Sequence, residues 1–416
     1  MKFEFVEEGK RGKYNANIKV LGLGGAGGNA INNMIASSLR GVEFIVANTD
    51  CQDLDRSICS RKIQLGPSIT MGLGAGADPQ IGERSAEESI TEIRDAMGDS
   101  DMIFLTAGMG GGTGTGASAV AARECRESGA LTVAVVTKPF EFEGEKRMKR
   151  ALEGIDKLKE EVDSLIVIPN ERLKTLGSEN TTFKDLIVRA DDVLLQAVRG
   201  ISELIMSNGF INLDFADVKM VMEKMGTAIM GMGRASGERR TLEAAQMAIN
   251  SPLLEDITID GAKGLLMNIT GPPDMTMDEV DEASCFVKGE VNKDADIFWG
   301  MVLDEEMKDE VQVTVIATGI DSSDDEYAAR YGKAFGSEYG KVINLRDVNP
   351  EEVQEEWTVR MNGEPLDVPT FQRKGAGLSA YSKDEKADER GRGLLAKLHL
   401  RKENLDYPTF LRAKAD

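Results

Sequence analysis

From Ile18 onward, short apolar runs alternate with stretches in which apolar residues recur every three to four positions. The runs IKVLGL (18–23), EFIVAN (43–48), MIFLTA (102–107), LTVAVVT (131–137) and SLIVIP (164–169) predict buried strands, because a strand covered on both faces is apolar throughout. The amphipathic stretches 81–97, 113–128 and 144–160 lie between them and predict helices. This alternation predicts βαβ units and a parallel sheet, with ligands held in loops beyond the carboxyl ends of the strands. From Thr182 to Asn208 runs one long helical pattern, whose apolar residues include Leu186, Ile187, Val193, Leu194, Ala197, Val198, Ile201, Leu204 and Ile205. GFINLDFADV (209–218) reads as the loop that ends it. Beyond come the strand GTAIMGMG, a helix near 239–250, GLLMNIT, a helix near 276–288, DIFWGMVL and VQVTVIATG. This mixture predicts a second, smaller α/β or α+β domain ending near Gly319, with the long helix as the bridge.

After Ile320 the chain turns polar and acidic, and 321–403 reads as a largely flexible linker. It contains one half of an internal repeat: Leu366-Asp-Val-Pro-Thr-Phe-Gln-Arg373 and Leu405-Asp-Tyr-Pro-Thr-Phe-Leu-Arg412 agree at six of eight positions. Of two readings, a duplicated turn and a duplicated docking peptide anchored by Phe and Leu with Arg at the edge, the second is preferred.

Composition narrows the chemistry. With 50 basic and 71 acidic residues the formal charge is -21, which argues against nucleic-acid binding and makes cations important to any self-association. The four cysteines (Cys51, Cys59, Cys125 and Cys285) show no C-x-x-C pair, which predicts a reducing compartment and no zinc framework. The start MKFEFVEEGK lacks the apolar core of a signal peptide, and no stretch approaches the ~20 apolar residues of a membrane span; the expectation is a cytoplasmic protein. The only histidine, His399, lies in the polar tail. Histidine-based triads and zinc motifs are thereby excluded from the folded part. An enzyme built on this sequence runs on carboxylates, bound cations and backbone amides.

Two glycine-rich loops follow predicted strands. Gly22-Leu-Gly24-Gly25-Ala26-Gly27-Gly28-Asn29 opens a helix, matches G-x-G-x-x-G and has Asp50 one strand further on. Alone it fits a dinucleotide-binding fingerprint, or merely close helix–strand packing. The second, Gly108-Met-Gly110-Gly111-Gly112-Thr113-Gly114-Thr115-Gly116, carries six glycines in nine residues between MIFLTA and a helix. That is costly in chain entropy, and its expected use is close approach of backbone N–H groups and Thr hydroxyls to phosphate oxygens. No Lys follows the last Gly, so it lies outside the P-loop class. Gly72-Leu-Gly74-Ala75-Gly76-Ala77-Asp78-Pro79 is suited to wrapping a terminal phosphate, and Thr137–Gly144 joins a strand end to a helix on the same face.

Together these residues carry a resemblance. GGGTGTG (110–116) is similar to the signature of the tubulin superfamily, and GLGGAGGNA (22–30), NTD (48–50), TKPFEFEG (137–144), PNERL (169–173) and NLDFAD (212–217) resemble the FtsZ family of bacterial cell-division GTPases in order and spacing. The likeness runs from about Ile18 to Gly319, and LDYPTFLR resembles the family's C-terminal partner-binding peptide. It implies an N-terminal extension (1–17), a parallel-sheet GTP-binding domain (18–181), a central helix (182–208), a C-terminal activation domain (209–320), a linker (321–403) containing a first tail-like peptide (366–373), and a partner-binding peptide (404–416). It implies GTP/GDP and Mg²⁺ as ligands, with phosphates held by Gly25, Ala26, Gly27, Gly28 and Asn29 and by Gly112, Thr113 and Gly114. Asn29 also lies near the base, Glu143 and Arg147 at the ribose with Asn170 close by, and Asp191 on guanine N1 and N2. A carboxylate there pairs with guanine's two donors and repels the acceptor N1 of adenine. Ile187 stands where many members carry a Phe that stacks on the base.

Asn212, Asp214 and Asp217 follow the long helix. On sequence alone Asp214 reads first as a helix N-cap before FADVKMVM. The resemblance instead makes these residues the catalytic loop that meets the nucleotide of the next subunit. It implies a head-to-tail homopolymer forming the division ring at mid-cell, with membrane-anchoring and regulatory proteins docking on Asp406, Pro408, Phe410, Leu411 and Arg412. There is no direct membrane insertion in this picture, and GLLAKLHLRK (393–402) reads as a short partner-facing amphipathic helix. Two alternatives stand beside it: a Rossmann-type NAD-dependent oxidoreductase, carried by residues 22–27 and Asp50, and a tubulin-like GTP-binding regulator that does not polymerise.

Overall fold

The structure, a computed structural model, describes residues 16–175, 182–206, 213–223, 226–254, 261–292 and 294–319, together with 360–361 and 364–365. Each predicted apolar run forms a strand. In chain order the first half is β1 (Ile18–Leu23), α1 (Gly24–Ala36), β2 (Val42–Asn48), α2 (Cys51–Arg56), β3 (Arg61–Gln64), α3 (Pro67–Thr70), α4 (Pro79–Glu88), α5 (Ile90–Met97), β4 (Met102–Gly108), α6 (Thr113–Glu127), β5 (Leu131–Lys138), α7 (Glu145–Glu161) and β6 (Ser164–Pro169). The second comprises α8 (Phe183–Met206), α9 (Phe215–Glu223), β7 (Gly226–Ser236), α10 (Arg240–Ile249), β8 (Gly264–Gly271), α11 (Met277–Glu290), β9 (Asp296–Leu303) and β10 (Glu310–Thr318).

One sheet joins the two halves, in the order β3-β2-β1-β4-β5-β6-β7-β10-β8-β9. The six strands from β3 to β6 are all parallel. The seam is short: β6 and β7 pair in parallel from Ser164 opposite Gly226 to Ile166 opposite Ala228. Past it β10 runs antiparallel to both β7 and β8, while β8 and β9 are parallel.

Burial follows the apolar pattern. One face of the parallel strands (Val20, Phe104, Val133, Ile166) packs on Ala30, Ile31 and Met34 of α1 and on Val193, Leu194, Ala197, Val198, Ile201 and Leu204 of α8. The same cluster continues into Ala228, Met230, Leu266 and Ile316, so α8 buries its apolar face across the seam. The other face packs on α4 to α7, and α10 and α11 cover the second half.

Three local expectations need correction. The stretch 81–97 is two helices, because the chain breaks at Ser89, whose N–H still reaches the Ser85 carbonyl at 3.3 Å. β3 has no counterpart among the predicted apolar runs; in RKIQ only Ile63 is buried, so an edge strand leaves almost no apolar signal. The segment 209–218 is not loop to its end, since α9 begins at Phe215. β11 (Arg360–Met361) and β12 (Glu364–Pro365) pair antiparallel in a separate unit. The rest of the proposed linker, the tail peptides, the 393–402 segment and the N-terminal extension up to residue 15 lie outside the described residues.

Candidate nucleotide site

The connections after β1, β2, β4, β5 and β6 all leave the same edge of the parallel sheet, and they hold the predicted nucleotide residues. The first glycine loop serves packing and exposure together. A side chain on Gly27 would meet the Thr106 carbonyl oxygen at 2.5 Å, so this glycine lets α1 approach β4. Gly25, Ala26 and Asn29 are exposed on the outer side of that turn, while Gly27 and Gly28 are buried. A helix start with bare N–H groups is a ready site for an anion.

The glycine count of the second loop has a physical cause that differs from the expected one. A Cβ on Gly108 would meet Ala26 Cβ at 2.6 Å, one on Gly114 the Gly108 oxygen at 2.7 Å, and one on Gly116 the Pro79 oxygen at 1.9 Å. Gly110, at φ +94°, lies where a Cβ would be 2.7 Å from the Arg147 carbonyl oxygen. Most of these glycines therefore knit β4, α1, α4 and α7 together. Gly111 alone among 108–116 faces open space within 4 Å. Thr113 and Gly114 are buried at the start of α6. The Oγ1 atoms of Thr113 and Thr49 lie 2.6 Å apart.

Around this loop stand the remaining predicted residues. Glu143 Oε1 accepts the Phe140 N–H at 2.8 Å, and Glu143 Oε2 pairs with Arg147 Nε at 3.0 Å. Arg147 packs on Gly110, so the predicted ribose pair and the predicted phosphate loop are brought together. Phe140 stacks on Phe142 with ring centroids 5.1 Å apart, and the Lys174 ammonium lies 5.5 Å from the Phe142 centroid. Asn170, at the end of β6, is 8% exposed, and its Oδ1 is buried without a hydrogen-bond partner. Such an orphan costs free energy unless a ligand satisfies it. Asp191, in the third turn of α8, is half-buried, and burial alone pushes its carboxyl up to about 7. A carboxylate desolvated with no compensating charge is suited to a ligand that brings its own donors.

Asp214 and Asp217 are elsewhere. The parallel pairing of Ser164 with Gly226 means that the chain enters β7 at the edge where β6 begins, opposite the loops. α9 immediately precedes β7, and the Leu213 N–H donates to the Leu204 carbonyl at 3.3 Å, near the end of α8. At that same edge Arg199 Nη2 donates to the Ser37 carbonyl at 3.1 Å, just past the end of α1. The 24 residues of α8 thus carry the chain from one edge of the sheet to the other, about 36 Å at 1.5 Å per residue. Asp214 is exposed, and its backbone carbonyl accepts the N–H groups of Asp217 and Val218 at 2.9 and 3.3 Å, as an N-cap residue does. Asp217 is half-buried in the first turn of α9. Asn212 lies outside the described residues.

Thr49, within NTD, has no role in the sequence reading; the signal for it is its place directly after β2, at the same edge as the glycine loops. Among the described residues no group of three or more His, Cys, Asp or Glu is placed to hold a metal ion, and no helix is long and apolar enough to cross a membrane.

The strand order β3-β2-β1-β4-β5-β6 is that of dinucleotide-binding sheets, so topology alone does not separate GTP from NAD. Comparison with known proteins does. A family model described as the GTPase domain of the Tubulin/FtsZ family matches residues 17–178, and one for the FtsZ family C-terminal domain matches 226–321. The cell division protein FtsZ of Rickettsia bellii is 55% identical over 307 residues, which is 74% of this chain and 67% of that protein. The Bartonella bacilliformis protein of the same name is 55% identical over 304 residues, 73% of this chain. The match spans about half of that relative's length, 51%. Among solved structures, an empty FtsZ dimer from M. jannaschii superposes with a TM-score of 0.72 at 45% identity, covering 76% of this chain and 94% of that one. A GTPγS-bound protofilament of CetZ2 from Haloferax volcanii shares the fold, with a TM-score of 0.64 at 19% identity over 77% of this chain and 98% of that one. None of these matches supports the oxidoreductase reading. With both domain models matched in order along the chain and a relative 55% identical over 307 residues, the chain belongs to the FtsZ family.

Proposed function

We propose that this chain binds GTP at the loop edge and hydrolyses it only when Asp214 and Asp217 of a second copy close over the nucleotide. The observation that carries this reading is the separation of the two halves of the site. The phosphate loops and the carboxylates stand at opposite edges of one sheet, at the two ends of α8. No single copy brings them together. A contact between unlike ends repeats without closing, and so builds a filament.

The roles then follow from position. Gly25 to Asn29 and Gly112 to Gly114 present N–H groups and the Thr113 hydroxyl to the phosphates; Glu143 and Arg147 lie at the ribose; Asp191 accepts from guanine N1 and N2. Asn170 Oδ1, buried without a partner, accepts a donor from the bound nucleoside. Mg²⁺ fits as a counter-ion that arrives with the triphosphate, since this cation keeps most of its water and needs few protein ligands. Its chemistry is to neutralise charge on the phosphate oxygens. The carboxylates of the incoming copy, Asp214 and Asp217 with Asn212, orient and polarise the attacking water. Removal of the terminal phosphate then weakens the contact between copies and returns subunits to solution.

The same reading assigns the filament to the division ring at mid-cell. Docking of membrane-anchoring and regulatory proteins falls to Asp406, Pro408, Phe410, Leu411 and Arg412. Sedimentation with GTP and Mg²⁺, read alongside phosphate release, tests the core of it. Protein should pellet with GTP and not with GDP, and turnover per molecule should rise above a threshold concentration. A non-pelleting protein with constant turnover in dilute solution contradicts it.

A further inference from the structure

Thr49 is wholly buried in the connection between β2 and α2, and it touches the phosphate loop through one atom pair: its Oγ1 lies 2.6 Å from Thr113 Oγ1. The residue is held there from behind. Its carbonyl oxygen accepts the Thr70 hydroxyl at 3.2 Å and the Gly74 N–H at 3.2 Å, and the Cys51 N–H donates to the Gly72 carbonyl at 3.0 Å. The Thr70 hydroxyl is also 3.1 Å from the Gly66 carbonyl. The 66–74 loop thus holds the Thr49 backbone in place, with its hydroxyl beside Thr113. On the far side Thr113 is buried at the start of α6.

A hydroxyl pair has one shared proton and two senses. In one, Thr113 donates to Thr49 and turns only lone pairs outward. In the other, Thr49 donates and Thr113 keeps its own O–H free to donate. Phosphate oxygens are acceptors only, so an anion in the loop selects the second sense. The donated proton also polarises the Thr113 hydroxyl and strengthens the bond it makes.

We infer that Thr49 is a positioning residue for the terminal phosphate of GTP: its hydroxyl donates to Thr113 Oγ1 and thereby commits the Thr113 hydroxyl to donate to the ligand. The inference rests on the GTP reading and deepens it. Thr49 does not touch the nucleotide in this account. Its effect passes entirely through Thr113, and that makes it separable from a general loosening of the loop.

The test is a double-mutant cycle on the full chain, with affinities for GDP and for a non-hydrolysable GTP analogue measured by calorimetry. Thr49→Val keeps the shape and removes the hydroxyl. It should weaken the triphosphate roughly tenfold, the loss of about one hydrogen bond to a charged ligand, and GDP by less than about threefold. Thr49→Ser should restore the triphosphate affinity. In a Thr113→Val background, Thr49→Val should have no further effect on that affinity. Equal losses for both nucleotides, or a full additional loss in the Thr113→Val background, would overturn the inference and leave Thr49 as a packing residue. Should Thr49→Val not fold, the Ser variant and the Thr113→Val protein still decide: Thr113→Val must itself spare GDP relative to the triphosphate. Wild-type protein that binds neither nucleotide sinks the GTP reading itself, whereas normal wild-type binding with an indifferent Thr49→Val sinks this inference alone.

Discussion

On the proposed role of Asp191 as acceptor for guanine N1 and N2, nucleotide affinity depends on pH. Burial pushes its carboxyl from an ordinary value of 3.8 up to about 7. Only the ionised form accepts both guanine donors, so affinity tracks the ionised fraction in the free protein. That fraction is about nine-tenths at pH 8 and about one-tenth at pH 6, a change in affinity of about tenfold or 1.4 kcal/mol. The nucleotide's own phosphates titrate in the same range, and Asp191→Asn separates the two effects. At pH 8 the variant should bind GDP roughly 10- to 100-fold more weakly, the loss of hydrogen bonds to a charged acceptor. Toward pH 6 the gap should close by about tenfold, because the wild-type carboxyl is then neutral as well. Stability should move the other way. A carboxyl raised in the folded state gives stability that is fully present below about 4 and is lost as pH rises through about 7. Nucleotide-free Asp191→Asn should therefore melt above the wild type at pH 8 and together with it near pH 4. Calorimetric titration with GDP at four or five pH values is the assay. Parallel pH profiles for the two proteins would refute the reasoning.

Other perturbations read other parts of the account. Asp217→Ala should keep GTP affinity and the fold while phosphate release falls about 100-fold or more; loss of binding or folding would favour the capping role for this turn instead. Arg240 is buried and pairs with Glu279 at 2.9 Å, Asp309 at 3.0 Å and Asp274 at 3.1 Å, tying α10 to the start of α11 and the turn before β10. Asp274 and Asp309 are largely exposed, so the half-buried Glu279 dominates the loss, and Arg240→Met should cost about 2 kcal/mol in urea unfolding without changing GDP affinity. An unchanged midpoint would show the cluster to be decorative.

The parallel half of the fold was legible because its strands are buried on both faces and read as unbroken apolar runs. β3 was not, for a strand at the edge of the sheet buries one residue, Ile63, and leaves two charged residues and a glutamine beside it. The break at Ser89 was hidden because helix α5 resumes the apolar period of α4 one residue later. The sequence reads as two domains joined by a long helix, and it does not show that three residue pairs between β6 and β7 also continue one sheet from the first half into the second; long-range pairing of this kind has no local sequence trace. In the candidate site, the glycine count has a cause that the sequence pattern does not show. Gly110, Gly114 and Gly116 are required by close approach to other backbone inside the protein and Gly108 by close approach of the Ala26 side chain, while within 108–116 only Gly111 opens outward. The Thr49–Thr113 contact joins residues 64 positions apart, and scattered threonines carry no periodic signal by which to find each other. That Asp214 and Asp217 stand at the far edge was invisible to spacing and came from resemblance, then from topology.

The central claim is that one active site is assembled from two copies, and mixing two crippled proteins tests it most directly. Asp217→Ala retains a complete nucleotide edge, and Asp191→Asn retains complete carboxylates at the opposite edge. Each alone should release phosphate slowly at GTP concentrations below the variant's weakened affinity. Mixed in equal amounts they should release it well above the sum of the two, because the intact edge of one meets the intact carboxylates of the other. A mixture that gives only the sum, at protein concentrations where the wild type assembles, would contradict the shared site.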